Sequence, residues 1–452
     1  MNRDALPSEH SRPTNIRWCV FSLAFMTSAL LYLHRYVFGF IKPTLAKEWG
    51  LSNTELGAID SAFSVCYTLF QFPLAIVADA CGVHFVLTGL MIIWMSGLAL
   101  MAWSPSAIWM WYAQALLGAG QSAVYACVSR IASIWFPPSI RTTLQGLVGI
   151  LAGRLGALSS SLIFTTLLLG VWGLNWRTAL WIQVAAGAAL LISFATLFRN
   201  SPRQHPRVNR AETLLIEEAD PSRADSQTHA LERVTVRRML RTVSTRSFIN
   251  LMFLSVQSLL STFADNIFSN WIPLFLAQVH HLEFKQMGIY AALPLLGGAV
   301  AGLVGGGLND YLIAATGNRR WSRVAVAVAG KSIAAGLLLF ALNSYDQPYV
   351  FCIYLFFVKL FSDCSLTTAW GVVTDIGGRA TASVFALNNS IAGIGQIAAP
   401  FILGYVSGQY GWRAVFVTVA VAYILCAGSW LFINCTIPVL GEPAVEADTG
   451  AQ

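Results

Sequence analysis

Long apolar segments follow one another along almost the whole chain, and they constrain its fold more than any other feature. A helix needs roughly 20 mostly apolar residues to cross the hydrocarbon core of a bilayer. The sequence therefore predicts an all-α integral membrane protein with twelve transmembrane helices. The predicted spans lie at about residues 17–40, 56–78, 83–103, 106–135, 143–168, 178–198, 247–276, 286–308, 322–343, 349–374, 381–406 and 413–434.

Charged residues are too few to cover the surface of a soluble protein. They make up 11% of the 452 residues, whereas hydrophobic residues make up 56%. A soluble domain carries about 25% charged residues. The chain is therefore expected to lie in lipid. Its eight cysteines are scattered through apolar runs without a CxxC pair, so neither a disulfide framework nor a metal site is expected.

A polar segment at about 199–246 separates the predicted spans into two sets of six. It contains ten Arg and six acidic residues, and it cannot bury itself in lipid. We therefore predict a sequence of five regions. They are an N-terminal tail (1–16), a six-helix bundle (17–198), a linker (199–246), a second six-helix bundle (247–434) and a C-terminal tail (435–452).

Basic residues are distributed unequally between the two sides of the predicted membrane domain. The side that holds both termini and the linker carries 18 Lys and Arg residues, and the other side carries five. Positively charged loops remain in the cytoplasm, so both termini and the linker are predicted to be cytoplasmic, in a protein of the cell membrane. The formal net charge of +7 follows from this bias and requires no nucleic-acid partner.

Matching residues recur at similar offsets in the two halves. Asp79 and Asp310 follow the second and eighth spans, 231 residues apart, and Gly57 and Gly288 open those spans with the same offset. The offset suggests two halves related as parallel repeats. This arrangement is typical of transporters that bind a solute near the membrane midplane and alternate the side to which the site opens.

Ionisable side chains within the spans are the candidate functional residues. Placing such a group at the bilayer centre costs a few kcal/mol, so these residues usually face the protein interior or a water-filled cavity. The candidates are His34, Arg35, Asp60, Arg130, Arg154, Asp265, Lys331, Lys359 and Asp363.

Arg35 and Arg154 are the candidate anion ligands, because a guanidinium group binds a carboxylate or phosphate through two parallel hydrogen bonds. A structural role for Arg154, satisfied by backbone carbonyls, is the alternative. Tyr32 lies one turn before Arg35 on the same helix face. Further polar and aromatic residues that suit a hydroxylated, sugar-like anion are Tyr67, Gln71, Gln121, Tyr125, Trp271, Asn388, Asn389 and Gln396.

The other charges have coupling or structural interpretations. His34 could titrate near neutral pH, or it could be a neutral histidine bonded between helices. Asp265 has no basic neighbour in its own helix and is a second candidate for proton coupling. Lys359 and Asp363 are four residues apart and are expected to pair within one helix. Gating or structural roles are predicted for Asp79, Arg130, Asp310, Lys359 and Asp363.

Four stretches resemble sequences typical of one transporter family. They are YLHRYVFGFIKPTLAKEWGLSNTELGAIDSAF (32–63), GAGQSAVYACVSRIASIWFPPSIR (118–141), GRLGAL (153–158) and WGVVTDIGGRATASVFALNNSIAGIGQIAAPFILGYV (370–406). Together with twelve spans and AIVADACG after the second, they resemble the anion:cation symporter family of the major facilitator superfamily. The resemblance implies a carrier of organic anions such as hexuronates, aldonates, tartrate and sugar phosphates, often with protons. It also implies that Arg35 and Arg154 bind the anion, with Tyr125, Asn388 and Asn389 at or beside matching positions.

The sequence departs from this family where protons are expected to bind. His34 replaces the acidic residue of the family's Y-L-D-R, Gln121 replaces the Glu of the fourth span, and Ile140 replaces the Glu of W-F-P-x-x-E-R. The basic residues usual after the second span are also missing. Three outcomes stay open: His34 or Asp265 carries the proton, the protein exchanges anions or uses another ion, or it no longer transports.

These features favour a secondary transporter of a small organic anion, such as a sugar acid. The alternatives are a sugar-phosphate antiporter and a membrane sensor of the same fold that binds its ligand without transport. An enzyme is not expected, because the sequence has no nucleotide-binding loop or nucleophile elbow, and no cofactor is predicted. The expected partners are an anionic solute, the lipid bilayer and a co-transported ion, and the protein is expected to be a monomer.

Overall fold

The computed structural model describes residues 12–217, 245–377 and 381–439, and every regular element within them is helical. The α-helices are α1 (Ile16–Trp49), α2 (Asn53–Cys81), α3 (Val83–Trp103), α4 (Ala107–Gln121), α5 (Val124–Trp135), α6 (Pro138–Gly146), α7 (Ala152–Ser159), α8 (Trp176–Leu197), α9 (Arg210–Glu217), α10 (Thr245–Asn270), α11 (Ile272–His280), α12 (Phe284–Thr316), α13 (Arg319–Ala341), α14 (Pro348–Gly377) and α15 (Thr381–Trp430). The predicted all-α membrane class is therefore confirmed.

Ten helices in the described part of the chain are long and apolar enough to cross a membrane. Two differences separate this number from the twelve predicted spans. The fourth predicted span is divided into α4 and α5, which have 15 and 12 residues. The eleventh and twelfth predicted spans lie in the single element α15, whose helical geometry is interrupted at Gly411 with φ 79°. Glycine adopts this positive φ without the steric cost that a side chain would add.

The helix that carries Arg154 has an irregular backbone on both sides. Two π-helical segments, Leu147–Leu151 and Ser160–Val171, flank α7. In the second segment the Thr165 hydroxyl donates to the Ser160 carbonyl at 3.0 Å. Short π-helical segments often occur at functional sites. The sequence predicted one uninterrupted transmembrane span here, at about residues 143–168.

The beginning of the predicted linker folds against the N-terminus of α1. Glu212 in α9 is fully buried, and its carboxylate accepts hydrogen bonds from the backbone N–H groups of Ile16 and Arg17 at 3.1 and 3.0 Å. The Thr14 hydroxyl also donates to it. The first N–H groups of a helix lack partners within the helix, and a carboxylate there is favoured by the helix dipole. Glu212 therefore caps α1 from a position 196 residues away.

The described residues form two compact units. The first contains residues 12–217, 267–296 and 400–409, and the second contains residues 245–266, 297–377, 381–399 and 410–439. In the second unit a buried cluster that includes Leu254, Ile376 and Trp430 forms a core. Two reciprocal bonds between Asn250 and Asn434, at 2.7 and 2.8 Å, hold the chain just after α15 against α10.

Candidate functional site

Arg35 in α1 is surrounded by aromatic rings in the first unit. The central carbon of its guanidinium group lies 4.9 Å from the ring centre of Tyr32, 5.1 Å from Phe63 and 4.7 Å from Tyr67. Cation–π contacts of this kind stabilise a positive charge without neutralising it. Among the described residues no carboxylate forms an ion pair with this group. We call Tyr32, Arg35, Phe63, Tyr67 and Gln121 the Arg35 cage.

Gln121 is the polar partner that orients Arg35. Its side-chain oxygen accepts from Arg35 Nε at 3.1 Å, and its amide nitrogen donates to the Leu31 carbonyl at 3.2 Å. The second bond fixes which end of the amide faces Arg35, since only the nitrogen can donate to a carbonyl. Gln121 is fully buried. Arg35 is therefore held by a neutral group and keeps its full positive charge.

Arg154 belongs to a helix that borders the Arg35 cage. Its neighbour Gly153 faces the ring of Tyr32, where an added Cβ would lie 2.9 Å from a ring carbon. The ring of Tyr125 lies 6.2 Å from that of Tyr32, and the Tyr125 hydroxyl donates to the Gly149 carbonyl at 2.7 Å. Arg154 itself is half-buried. The structure thus brings together Arg35, Tyr32, Tyr67, Gln121 and Tyr125 from the predicted site, with α7 beside them.

His34 lies outside this group. Its ring is fully buried, and its Nδ1 atom accepts from Trp94 Nε1 at 3.1 Å. Consecutive helical residues point about 100° apart, which turns His34 away from the cage. The geometry is that of a neutral histidine bonded between helices, one of the two predicted interpretations.

A second group of charges lies inside the second unit. Lys359 and Asp363 pair within α14 at 2.6 Å, as the spacing of four residues predicts. Lys359 also pairs with Asp265 of α10 at 3.0 Å. Asp265 accepts a further bond from the Tyr423 hydroxyl at 2.7 Å. The predicted coupling candidate Asp265 therefore has a basic partner after all, supplied by another helix.

Lys331 completes this charge cluster. Its buried ammonium donates to Ser261 at 2.8 Å and to Ser362 at 3.2 Å. It also lies 4.8 Å from the ring centre of Tyr423. With two lysines and two aspartates, the four charged groups sum to zero. Loss of the Asp265 charge would leave the cluster with a net positive charge.

Comparison with known proteins decides the family. The model of the Major Facilitator Superfamily matches residues 24–383. The chain belongs to the Major Facilitator Superfamily. The prediction made from the resemblance is confirmed, and this superfamily consists of membrane transporters.

Curated relatives within the superfamily are named as anion transporters. The chain is 26% identical to the probable sulfoacetate transporter SauU of Cupriavidus necator, over 84% of this chain and 85% of the relative. It is 23% identical to the probable galactarate/D-glucarate transporter GudP of Bacillus subtilis, over 92% and 91%. The crystal structure of a D-xylose-proton symporter has a TM-score of 0.71 at 13% identity, over 93% of this chain and 98% of the other, which shows the shared fold.

The remaining predicted residues are the gating candidates and two asparagines of the solute site. Asp310 is exposed, Arg130 is half-buried, and the side chain of Asp79 lies outside the described residues. In α15, Asn388 is buried and Asn389 is half-buried. Both asparagines belong to the second unit, whereas the Arg35 cage lies in the first.

Sequence reasoning missed two ionic groups. Asp375 at the end of α14 forms ion pairs with Arg319 and Arg323 of α13, each at 2.8 Å. Lys42 was assigned to a loop because the first span was predicted to end at residue 40. The helix α1 instead continues to Trp49, and Lys42 is fully buried. The signal that could have found it is Asp60, a carboxylate inside the second span that needs a partner.

Proposed function

We propose that the protein is a secondary active transporter that moves a small organic anion, of the sugar-acid class, across the cell membrane by alternating access. The Arg35 cage carries this proposal. A half-buried guanidinium group whose polar partner is an amide, not a carboxylate, keeps a charge that an anionic solute can bind. The names of the relatives SauU and GudP support a carboxylate or sulfonate over an uncharged solute.

The proposed roles rest on the geometry of the Arg35 cage and, for Arg154, Asn388 and Asn389, on the family resemblance. Arg35 and Arg154 bind the anion, and the rings of Tyr32, Tyr67 and Tyr125 line the site. Tyrosine rings with hydroxyl groups suit a polyhydroxylated solute, because they combine an apolar face with a hydrogen-bonding edge. Asn388 and Asn389 remain proposed contacts of the solute in the other half of the protein. Trp271 is fully buried against Lys42, so we propose a structural role for it instead of solute contact.

Asp265 is the proposed coupling residue, in preference to His34. A coupling group must exchange protons with water, and the Asp265 side chain is 27% exposed whereas His34 is fully buried. Protonation of Asp265 would release one hydrogen bond of Lys359 and give the charge cluster a net charge of +1. That change would favour anion binding at lower pH.

The proposed topology has twelve spans in two bundles of six, with both termini in the cytoplasm and a monomeric protein. Two features support the number twelve. The pair α4 and α5 together has the length of one span, and Gly411 divides α15 into two. The unequal distribution of basic residues supports the orientation.

Uptake into proteoliposomes tests the proposal. Purified protein is first screened for thermal stabilisation by D-glucarate, sulfoacetate and glucose 6-phosphate, and uptake of the labelled stabilising compound is then measured. We expect Arg35→Ala and Arg154→Ala each to abolish uptake while the protein still inserts. Arg177→Ala is the matched control, because Arg177 is an arginine of the same unit that pairs with Glu48 outside the cage.

Three outcomes would contradict parts of the proposal. Uptake at the wild-type rate by a variant that lacks both Arg35 and Arg154 would refute the anion site. Binding without uptake would identify a sensor of the same fold. Stabilisation by glucose 6-phosphate alone would replace the sugar acid with a sugar phosphate as the substrate.

A further inference from the structure

Lys42 binds to several other parts of the first unit, although its side chain is 0% exposed. Its ammonium donates to Asp60 of α2 at 2.9 Å and to the backbone carbonyl of Asn270 at 3.0 Å. The same group lies 4.2 Å from the ring centre of Trp271 and 5.3 Å from that of Phe38. One side chain thus joins α1, α2 and the junction between α10 and α11.

The Asn270 carbonyl is a favourable acceptor because of its place in the chain. It is the last residue of α10, and α11 begins at Ile272 with Pro273 in its first turn. The last carbonyls of a helix lack partners within the helix, so the Asn270 carbonyl can accept from a donor on another helix. The positive charge of Lys42 therefore binds at the negative end of the α10 dipole.

Close backbone contacts surround this ion pair. An added Cβ at Gly39 would lie 2.7 Å from the Ser269 carbonyl oxygen, and one at Gly57 would lie 2.2 Å from the Pro400 carbonyl oxygen. Glycine permits both approaches because it has no side chain. Residues 267–296 and 400–409 are the parts of α10, α12 and α15 that belong to the first unit, whereas the rest of these helices belong to the second. Alternating access requires elements that move against their neighbours, and α10 passes from the second unit into the first at residue 267.

We propose that Lys42 is a gate residue, which holds residues 267–271 against α1 in the state described here and releases them when the carrier opens this packing. Asp60 makes the release possible. Lys42 and Asp60 lie on consecutive helices, α1 and α2, which are joined by only three residues, so the ion pair persists when the Asn270 bond and the Trp271 contact are lost. A buried lysine without a carboxylate would be left as an uncompensated charge, which costs far more. The inference concerns the gate and goes beyond the proposed anion binding.

Two variants separate the gate from a purely structural ion pair. Lys42→Met together with Asp60→Leu removes both charges and keeps apolar packing, a change that is often neutral or stabilising for folding. Lys42→Asp together with Asp60→Lys keeps an ion pair between α1 and α2 but removes the donor to Asn270. Lys47→Met is the matched control, since Lys47 is an exposed lysine on the same helix.

Hydrogen exchange on the purified full-length protein in detergent provides the measurement, and it needs no substrate. We expect both pair variants to accelerate amide exchange in residues 267–281 by about tenfold to a hundredfold, the effect of losing a hydrogen bond to a charged group. Exchange in α3 and the thermal unfolding temperature of the Met/Leu variant should match the wild type, which a merely structural role for the pair does not predict. Lys47→Met should leave residues 267–281 unchanged.

Two results would overturn the gate assignment. One is exchange in residues 267–281 that stays within about twofold of the wild type in the Met/Leu variant. The other is full restoration of wild-type exchange in the charge-swapped variant, because the ion pair alone would then hold the segment. Should the charge-swapped variant fail to fold, the Met/Leu variant decides the question alone. Failure of uptake in the wild type would refute the proposed function and leave this test intact.

Discussion

A carboxylate in place of the Gln121 amide should convert the Arg35 cage from a permanent anion site into a pH-controlled one. The Gln121 oxygen lies 3.1 Å from Arg35 Nε, so Gln121→Glu places a negative charge at hydrogen-bond distance from the guanidinium group. The other amide bond, to the Leu31 carbonyl, would be lost, because an ionised carboxylate cannot donate. The new carboxylate would compete directly with the anionic substrate for Arg35.

The magnitude follows from the distance and the exposure. Two unit charges about 4 Å apart interact with about 4 kcal/mol at an effective dielectric constant of about 20. Arg35 is half-buried, so solvent screening reduces this value. We expect a net loss of about 1.5–3 kcal/mol of anion binding, the range for a hydrogen bond to a charged group. This corresponds to a dissociation constant about tenfold to a hundredfold higher at neutral pH.

The assay is titration of the purified protein with the stabilising anion at several pH values. Acidification protonates the introduced carboxylate and frees Arg35, so binding by the Gln121→Glu variant should approach that of the wild type as the pH falls. Gln145→Glu is the matched control, because it adds the same charge to the same unit at a side chain that bonds to Ser129 outside the cage. Neutral-pH affinity of the Gln121→Glu variant equal to that of the control would refute the assignment of Arg35 as an anion ligand.

Three further predictions test other parts of the structure. Asp265→Asn should remove the pH dependence of uptake into proteoliposomes, whereas His34→Gln should retain it, since the His34 ring is fully buried. The reverse pattern would make His34 the coupling residue in place of Asp265. Gly153→Ala should slow uptake about tenfold or more, because the added methyl group would contact the Tyr32 ring at 2.9 Å and displace it. An unchanged uptake rate would show that α7 does not position the rings of the Arg35 cage. Glu212→Ala should lower the free energy of unfolding by about 1–2 kcal/mol, because α1 loses its cap. Thermal unfolding measures this loss, and the affinity for the anion should not change.

Contacts between residues close together in the sequence were predictable, because helical geometry alone brings them together. The pairing of Lys359 with Asp363 follows from their spacing of four residues, and the contact of Tyr32 with Arg35 follows from their spacing of three. The rotation of His34 away from Arg35 follows from the same geometry. Arg35 and the other ionisable residues within the spans could be identified as candidate functional residues from the sequence. Lipid tolerates such groups only where protein or water surrounds them.

Partners from different helices were not predictable in this way. Asp265 pairs with Lys359 of another helix far along the chain, and Lys42 pairs with Asp60 across the turn between two helices. Which helices touch, and with which faces, depends on their rotation and on close approaches at small residues such as Gly156 against the Ala29 carbonyl. No local pattern records these quantities.

The sequence by itself determined that this protein is a helical membrane transporter with cationic groups inside its spans, because the cost of exposing polar groups to lipid acts on each segment separately. The tertiary structure alone decided which cations are compensated by carboxylates of other helices. Lys42 and Lys359 are neutralised by carboxylates from other helices, whereas Arg35 faces an amide and aromatic rings. Charge compensation depends on distances of about 3–4 Å between side chains, and only helix packing sets those distances.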